Sequence, residues 1–323
     1  MPDRPWASAC VAALDVGGTG MKGALFDGDL RPLAVLHEPT PAAAGPQAVV
    51  DTAAQALLRL TGQAADHGLR VHGAGVVVPG IVREDAQLAV RSVNLGWRDL
   101  PLAEVLSERT GLPVVLGHDV RAGGLAESVL GAARGVRNVL FVAIGTGIAG
   151  ALVCDGEPTQ GQGYAGELGH LVVDPGGARC ACGGRGCLET VASASAVAAA
   201  FTARTGRSVE GAAGVAALVA RGDADAVSVW QRAVDALATA LATTVTLFGC
   251  ERVVLGGGLA EAGELLLGPV RQRLDEKLTF QRRPSVVAAE LGDRAGCLGA
   301  GLLARRAAAR APGTFATAEG VRR

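Results

Sequence analysis

Two eight-residue segments of the chain are nearly identical and stand in the same local context. Residues 18–25 read GTGMKGAL and residues 145–152 read GTGIAGAL, so that six of eight positions agree. Each segment follows a short apolar run, and each contains a glycine-rich turn that leads into a second apolar run. Because no helical period follows either turn, the pattern predicts a strand–turn–strand hairpin in each copy. We interpret the two copies as an internal duplication.

Between and beyond the copies, stretches of helical periodicity alternate with short apolar runs. The pattern predicts helices at 46–67, about 100–110, 119–130, 224–248, 261–278 and about 295–309. It predicts strands at 10–16, 21–27, 73–78, 113–117, 139–144, 148–154, 251–255 and 285–289. We expect Asp99 to cap the second helix and Gly111 to lie just past its end. This alternation indicates an α/β fold with a mixed or parallel sheet flanked by helices.

A chain of 323 residues is long enough for two domains, each with its own core. We expect a smaller N-terminal α/β domain at 1–117, completed by a C-terminal helix at about 295–312. A larger α/β domain is expected at 118–294. Residues 313–323 lack periodicity and are expected to form a disordered tail.

Composition limits the classes of partner. Apolar residues make up 49% of the chain and charged residues 19%, and the formal net charge is −1. This balance argues against a general nucleic-acid or anionic-membrane surface. Because no apolar run reaches membrane-spanning length and MPDRPWASAC does not read as a secretory signal, we expect a cytoplasmic protein without nucleic-acid or membrane partners.

The segment from Gly166 to Glu189 concentrates metal-binding side chains. Its four candidate ligands are separated by nine, one and four residues: His170, Cys180, Cys182 and Cys187. Three thiolates and one imidazole suit a closed, tetrahedral, structural zinc site. A disulfide is a weaker interpretation, since Cys180 and Cys182 are too close to pair easily and seven cysteines is an odd number. The remaining cysteines lie in apolar runs and are predicted to be small core residues: Cys10, Cys154, Cys250 and Cys297.

Three glycine-rich turns follow predicted strands, at 17–20, 145–147 and 256–258. Such turns present backbone N–H groups that can bind phosphate oxygens. Thr19 and Thr146 add hydroxyl donors, and Asp15 can position a hydrated Mg²⁺. Any one turn alone reads as an ordinary hairpin, but the set indicates a bound nucleotide.

Asp119 is predicted at a strand end and at the start of a helix. An aspartate there is commonly an N-cap, although α/β proteins also place catalytic groups at strand ends. Four further side chains can supply polar contacts to a polyhydroxylated ligand: Asn94, Glu167, His170 and Glu189. His170 can serve twice, with one ring nitrogen on zinc and the other on the ligand.

These residues carry a family resemblance. The ordered motifs DVGGTGMKGALFD, VPG, SVNLGW, HD, AIGTGIAGALV, ELGH, CACGGRGCLE and VVLGGGL, from about residue 10 to 305, resemble the ROK family. That family includes bacterial sugar kinases and sugar-responsive repressors. The resemblance implies an actin-like, ribonuclease H-like, duplicated two-domain ATPase fold with a cleft between the domains.

The resemblance also implies roles for the candidate residues. Asp119 would be the general base for a sugar 6-hydroxyl. The sugar would be held by Asn94, His118, Asp119, Glu167, His170 and Glu189. Zinc would be bound by His170, Cys180, Cys182 and Cys187. ATP, with Mg²⁺, would be surrounded by Asp15, Gly17, Gly18, Thr19, Gly145, Thr146, Gly147, Gly256, Gly257 and Gly258. The chain departs from the family at His118, where an asparagine is usual, and this departure leaves the sugar open.

The sequence thus predicts an ATP-dependent hexokinase of glucokinase type, with sugar and ATP as its small-molecule partners. N-acetylglucosamine, N-acetylmannosamine or fructose are alternative substrates, and polyphosphate is an alternative donor. A sugar-responsive regulator is a rival from another class. Such regulators carry an added helix-turn-helix domain, for which the roughly ten residues before the first strand are too few. The family is commonly oligomeric, so we expect a homodimer or homotetramer.

Overall fold

The computed structural model describes residues 9–310, and the tail predicted at 313–323 lies outside them. The chain divides into two compact units. Of the described residues, the first unit comprises 9–122 together with 296–310, and the second comprises Gly123–Ala295. Among the described residues, no helix combines the length and the apolar character needed to cross a membrane.

The part of the chain before residue 130 supplies the first strands and helices. The strands are β1 (Ala9–Val16), β2 (Gly20–Phe26), β3 (Pro32–Pro39), β4 (Arg70–Val78), β5 (Ile81–Arg83), β6 (Leu88–Ser92), β7 (Trp97–Leu100) and β8 (Val114–His118). The helices are α1 (Pro46–Asp66), α2 (Leu102–Thr110) and α3 (Asp119–Val129).

The rest of the described chain supplies the other elements. The strands are β9 (Val139–Ile144), β10 (Ile148–Cys154), β11 (Glu157–Pro158), β12 (Arg252–Gly256) and β13 (Ser285–Ala288). The helices are α4 (Glu189–Ala192), α5 (Ala194–Thr205), α6 (Gly211–Ala220), α7 (Ala224–Phe248), α8 (Glu264–Lys277) and α9 (Ala295–Arg310). The helix predicted at 261–278 begins later, because Gly258–Ala262 forms a separate 3₁₀ turn.

The main sheets of the two units have the same topology. The first has the strand order β3-β2-β1-β4-β8, and the second has the order β11-β10-β9-β12-β13. In each sheet the first two hairpin strands pair antiparallel, and the next two strands add in parallel on the other side. The repeated order confirms the duplication predicted from the two similar segments. A further small antiparallel sheet, β5-β6-β7, belongs to the first unit.

Helix α7 organises the core of the second unit. It spans the range that its apolar stripe predicts, and Trp230, Leu237 and Leu241 on that stripe are buried. Asp223 caps its first turn by accepting the N–H of Ala226, and Gly249 ends it in the left-handed conformation. A local signal at each end and a period of 3.6 residues between them therefore fix this helix.

The predicted cap of α2 is wrong. Asp99 lies within β7 at φ 47°, and Pro101 takes the N-cap position without a capping side chain. A proline has a fixed φ and no N–H, so it suits a helix start, whereas β7 pairs Asp99's neighbours with β6. The C-terminal end of α2 is as predicted, since Gly111 lies at φ 70° and donates its N–H to the carbonyl of Ser107.

Candidate active site and metal centre

Asp119 stands where β8 ends and α3 begins. Its Oδ1 atom accepts the N–H of Val120 at 2.7 Å, and 28% of the side chain is exposed. An ionised carboxylate has about four acceptor positions, so this bond leaves it able to take a proton from a ligand. The residue therefore stands at the first position of the helix and has the access that a general base needs.

His118 is buried beside it. Its Nδ1 atom lies 3.3 Å from Asp119 Oδ1 and 3.3 Å from the backbone nitrogen of Arg121, which can donate to it. The imidazole is therefore held against the first turn of α3. At this position, where the family resemblance implies asparagine, the chain has a bulkier ring with a fixed orientation.

The first glycine turn joins β1 to β2. Within it, the N–H of Gly17 donates to the carbonyl of Gly20 at 2.9 Å. Thr40 holds the turn twice, donating its hydroxyl to the Gly17 carbonyl at 2.7 Å and its N–H to the Thr19 carbonyl at 3.0 Å. Because these carbonyls are bonded inside the protein, an oxygen ligand is left with N–H groups and the exposed Thr19 hydroxyl to bind.

Two other predicted residues lie against elements of this unit. The side chain of Asn94, in the β6–β7 connection, is 3.4 Å from the position that a β-carbon on Gly18 would take. The Asp15 carboxylate packs on Gly296 at the start of α9 so closely that a β-carbon there would overlap it. The structure therefore brings Asn94 to the first glycine turn and places Asp15 against the backbone of Gly296.

The second glycine turn joins β9 to β10 and has the same internal bond, from Gly145 N–H to the Gly147 carbonyl at 2.9 Å. The carbonyls of Gly145 and Thr146 accept hydrogen bonds from the first residues of α5. Ala194 donates its N–H to the Gly145 carbonyl at 2.8 Å, and Ser195 donates its hydroxyl to the Thr146 carbonyl at 2.5 Å. The two related turns are thus stabilised by side chains from unrelated segments.

The third turn follows β12, the parallel neighbour of β9 in the same sheet. Gly256 ends the strand, and Gly257 lies at φ 81°, where a β-carbon would come within 2.6 Å of the Ile144 backbone. The carboxyl ends of parallel neighbours lie at the same sheet edge. The structure therefore brings Gly145–Gly147 and Gly256–Gly258 together in the second unit.

The four predicted zinc ligands converge. The ligand atoms of His170, Cys180, Cys182 and Cys187 all lie within 4.8 Å of one another. The Sγ atoms of Cys182 and Cys187 are 3.7 Å apart, and Cys180 Sγ is 3.7 Å from His170 Nδ1. In a tetrahedron with Zn–S bonds of about 2.3 Å, two sulfurs lie about 3.8 Å apart, so the donor set fits zinc.

The three thiols of this cluster differ in how readily they ionise. Burial raises the pKa of Cys180 to about 12, and burial also raises the pKa of Cys187. The N–H of Gly184 lowers the pKa of the exposed Cys182. Zinc binds thiolates, so a bound cation would supply the charge that the two buried sulfurs need to ionise.

Of the three predicted sugar residues of the second unit, His170 belongs to this cluster, and Glu167 and Glu189 lie beside it. Glu167 Oε2 lies 3.8 Å from His170 Nε2, and Glu189 Oε1 lies 3.8 Å from His170 Nδ1. Glu189 Oε1 also accepts from Cys180 Sγ at 3.1 Å. Nδ1 of His170 thus lies beside Cys180 Sγ and Nε2 lies beside Glu167, and this is the arrangement that the predicted double use of His170 needs.

Reasoning from the sequence missed Thr40 and Ser195. Each is far along the chain from the turn that it holds, by 23 residues for Thr40 and Gly17 and by 49 for Ser195 and Thr146. No local motif indicates such contacts. Only the pairing of the turns with their surroundings in three dimensions reveals them.

The predicted site residues thus fall into two sets. The first unit carries Asp15, Gly17, Gly18, Thr19, Asn94, His118 and Asp119. The second unit carries Gly145, Thr146, Gly147, Glu167, His170, Cys180, Cys182, Cys187, Glu189, Gly256, Gly257 and Gly258.

Known proteins resemble this chain along most of its length. The model of the ROK family matches residues 11–307. A glucokinase of Halalkalibacterium halodurans is 34% identical over 312 residues, which cover 91% of this chain and 94% of that protein. An N-acetylmannosamine kinase of Citrobacter koseri is 37% identical over 305 residues, which cover 91% of this chain and 98% of that protein.

A solved structure also resembles this chain along most of its length. The ROK family glucokinase from Streptomyces griseus, in complex with glucose and AMPPNP, matches with a TM-score of 0.76 and 29% identity, covering 92% of this chain and 99% of that one. Together with the repeated strand order, this match confirms the predicted actin-like, duplicated α/β fold. The chain belongs to the ROK family.

Proposed function

We propose that the protein transfers the γ-phosphoryl group of ATP to the 6-hydroxyl of a hexose, with glucose as the preferred hexose. The observation that carries the proposal is the part-exposed Asp119 carboxylate at the end of β8 in a ROK family chain. The proteins that it resembles over 91% of its length are named glucokinase and N-acetylmannosamine kinase, and the chain is accordingly an ATP-dependent sugar kinase.

Asp119 acts as the general base. Its carboxylate takes the proton of the 6-hydroxyl while that oxygen bonds to the γ-phosphorus and the bond from phosphorus to the bridging oxygen of ADP breaks. The sugar phosphate and ADP leave, and Asp119 later returns its proton to solvent. Because phosphoryl transfer has a loose transition state, the position of the hydroxyl matters as much as the basicity of the carboxylate.

In the first unit, Asn94 and His118 are the proposed sugar contacts. An asparagine amide both donates and accepts, as adjacent sugar hydroxyls require. His118 lies beside the base, so it is the residue through which this chain can differ from relatives that have asparagine.

In the second unit, Glu167, His170 and Glu189 are the proposed sugar contacts. Their side chains keep 43%, 36% and 23% of their surface exposed. A bidentate carboxylate can accept from two neighbouring hydroxyls, which favours a polyhydroxylated ligand over an apolar one.

The glycine turns are the proposed ATP contacts, through their N–H groups and the hydroxyls of Thr19 and Thr146. Mg²⁺ would be positioned near Asp15 through its water shell, where it would neutralise phosphate charge. The residues of this chain contribute the fixed donors, since Thr40 and Ser195 hold the turns before the nucleotide binds.

Zinc would be held by His170 and the three cysteines, with a structural role. Four protein ligands leave no open position, so the ion would supply no reactive water. Its effect would be to order the loop that carries His170 at one end and Glu189 at the other.

The rival substrates differ from glucose chiefly at carbon 2. N-acetylmannosamine is the leading rival, because the identity to a kinase of that name is 37%. The same base and turns serve either sugar, and the neighbourhood of carbon 2 decides between them.

An ADP-release assay with Mg-ATP and a panel of glucose, fructose, N-acetylglucosamine and N-acetylmannosamine tests the proposal. We expect the highest kcat/KM with glucose, and near-complete loss of turnover with sugar binding retained in Asp119→Asn. We expect His118→Asn to change the ratio of kcat/KM among the sugars. Preference for another sugar would refute the glucose assignment, and turnover by Asp119→Asn near the wild-type rate would refute the base. If the folded protein binds sugar but releases no ADP with any sugar of the panel, the result would favour a sugar sensor without catalysis.

A further inference from the structure

Strand β8, which leads to Asp119, is the edge strand of its sheet, with β4 as its partner on the inner side. Edge strands usually leave every second N–H without a strand partner. Here the outward N–H groups donate to side chains instead. The pairs are Val114 to Ser107 Oγ at 3.1 Å, Leu116 to Gln87 Oε1 at 2.6 Å, and His118 to Glu84 Oε1 at 3.1 Å.

Glu84, immediately after β5, differs from the other two side chains in that its second bond goes to a charged side chain of α3. Its Oε1 atom also accepts Nε of Arg121 at 2.9 Å. The exposed fractions are 2% for the Arg121 side chain and 11% for that of Glu84. Arg121 in turn donates Nη2 to the carbonyl of Val82 at 2.9 Å. The charge of Arg121 is therefore buried and that of Glu84 largely so, and the two are paired and hydrogen-bonded.

These bonds fix residues on both sides of Asp119 in the sequence. Glu84 accepts the N–H of His118, the residue before Asp119, and the side-chain N–H of Arg121, two residues after Asp119. The first turn of α3 is closed by the contact between Arg121 N–H and His118 Nδ1. The junction that carries the carboxylate is thus tied to β5 at two points.

A buried ion pair is weak evidence of a contribution to stability, because desolvation offsets much of the attraction. A fixed geometry is a better explanation where a reacting group lies between the two contacts. Displacement of a catalytic group by about 1 Å can cost about 10²-fold in rate.

We propose that Glu84 and Arg121 are a positioning pair that sets the orientation of Asp119 toward the hydroxyl to be phosphorylated. This inference rests on the proposed role of Asp119 as base. Neither residue touches the reacting atoms, and the pair acts through the β8–α3 junction.

The test compares three variants of the full-length protein. Glu84→Ala removes both contacts, and we expect kcat to fall about 10- to 100-fold while the KM for ATP stays within about twofold. Glu84→Gln keeps an acceptor for the His118 N–H, and we expect part of the lost kcat to return. The double variant Glu84→Leu/Arg121→Met replaces the charges by apolar groups of similar size, so thermal stability should recover relative to Glu84→Ala while kcat stays low.

The matched control is Asp85→Ala. Asp85 is the next residue and forms an ion pair with Arg83, but both side chains are exposed. We expect its kcat to match the wild-type value. Asp119→Asn, measured in parallel, separates this inference from the proposed function.

A wild-type kcat in Glu84→Ala, or recovery of kcat together with stability in the double variant, would overturn the positioning role while leaving an inactive Asp119→Asn as support for the base. An active Asp119→Asn would instead remove the base, and the positioning pair with it.

Discussion

Glu189 Oε2 lies 3.0 Å from the position that a β-carbon on Gly147 would occupy. The segment that carries the predicted zinc ligands and the second glycine turn therefore meet at this carboxylate. Gly147 is not in the left-handed region, so alanine fits its backbone, and the flexible carboxylate must move instead. The contact makes this glycine a probe of what Glu189 does.

We expect Gly147→Ala to raise the KM for the sugar about tenfold, the effect of losing one hydrogen bond to a charged group. Steady-state kinetics with varied sugar measure it. Gly62→Ala is the matched control, because an added β-carbon in that part of α1 meets no atom within 4 Å. A sugar KM within twofold of the wild-type value would show that Glu189 does not hold the sugar.

Removal of one thiol should abolish the metal site. We expect Cys182→Ala to lower zinc from about one ion per chain to near none, since a closed site needs all four ligands. The sugar KM should rise as the loop loses order. Elemental analysis of the purified protein measures the metal, with Cys154→Ala as the control that retains it. Equal zinc in both variants would contradict the ligand set.

The hydroxyl of Ser195 should matter for the nucleotide alone. We expect Ser195→Ala to raise the KM for ATP about fivefold, because the Thr146 carbonyl loses its donor and the turn loosens. Thr40→Val should do the same through the first turn. Thr239→Ala removes an exposed hydroxyl that bonds only within α7, so it serves as the control. An unchanged ATP KM in Ser195→Ala would argue against nucleotide binding at this turn.

Glu127 should be essential for stability. Its carboxylate is fully buried and accepts the backbone N–H groups of Ala132, Glu290 and Leu291. We expect Glu127→Ala to lower the free energy of unfolding by about 3 kcal/mol, because it leaves three donors without an acceptor. Glu127→Gln should cost less, since one acceptor oxygen remains. Urea unfolding measures both, and a Glu127→Ala protein as stable as the wild type would contradict the assignment.

The sequence predicted well what local patterns encode. Residues close together in the chain account for the apolar stripe of α7, for the strands on either side of the first two glycine turns and for the convergence of the four predicted zinc ligands. The prediction that Asp99 caps α2 was wrong because two local signals competed, and Pro101 rather than Asp99 occupies the N-cap position. Thr40, Ser195 and Glu84 could not be predicted, since each acts on a backbone segment distant in sequence.

The side chains that cover the outer edge of β8 have a consequence for association between molecules. An extended segment from another chain adds to a sheet by bonding to a row of open N–H groups. At Val114, Leu116 and His118 these groups are already occupied. Loss of Ser107, Gln87 or Glu84 would therefore expose a template for strand addition, and self-association at high concentration would follow even where the fold survives.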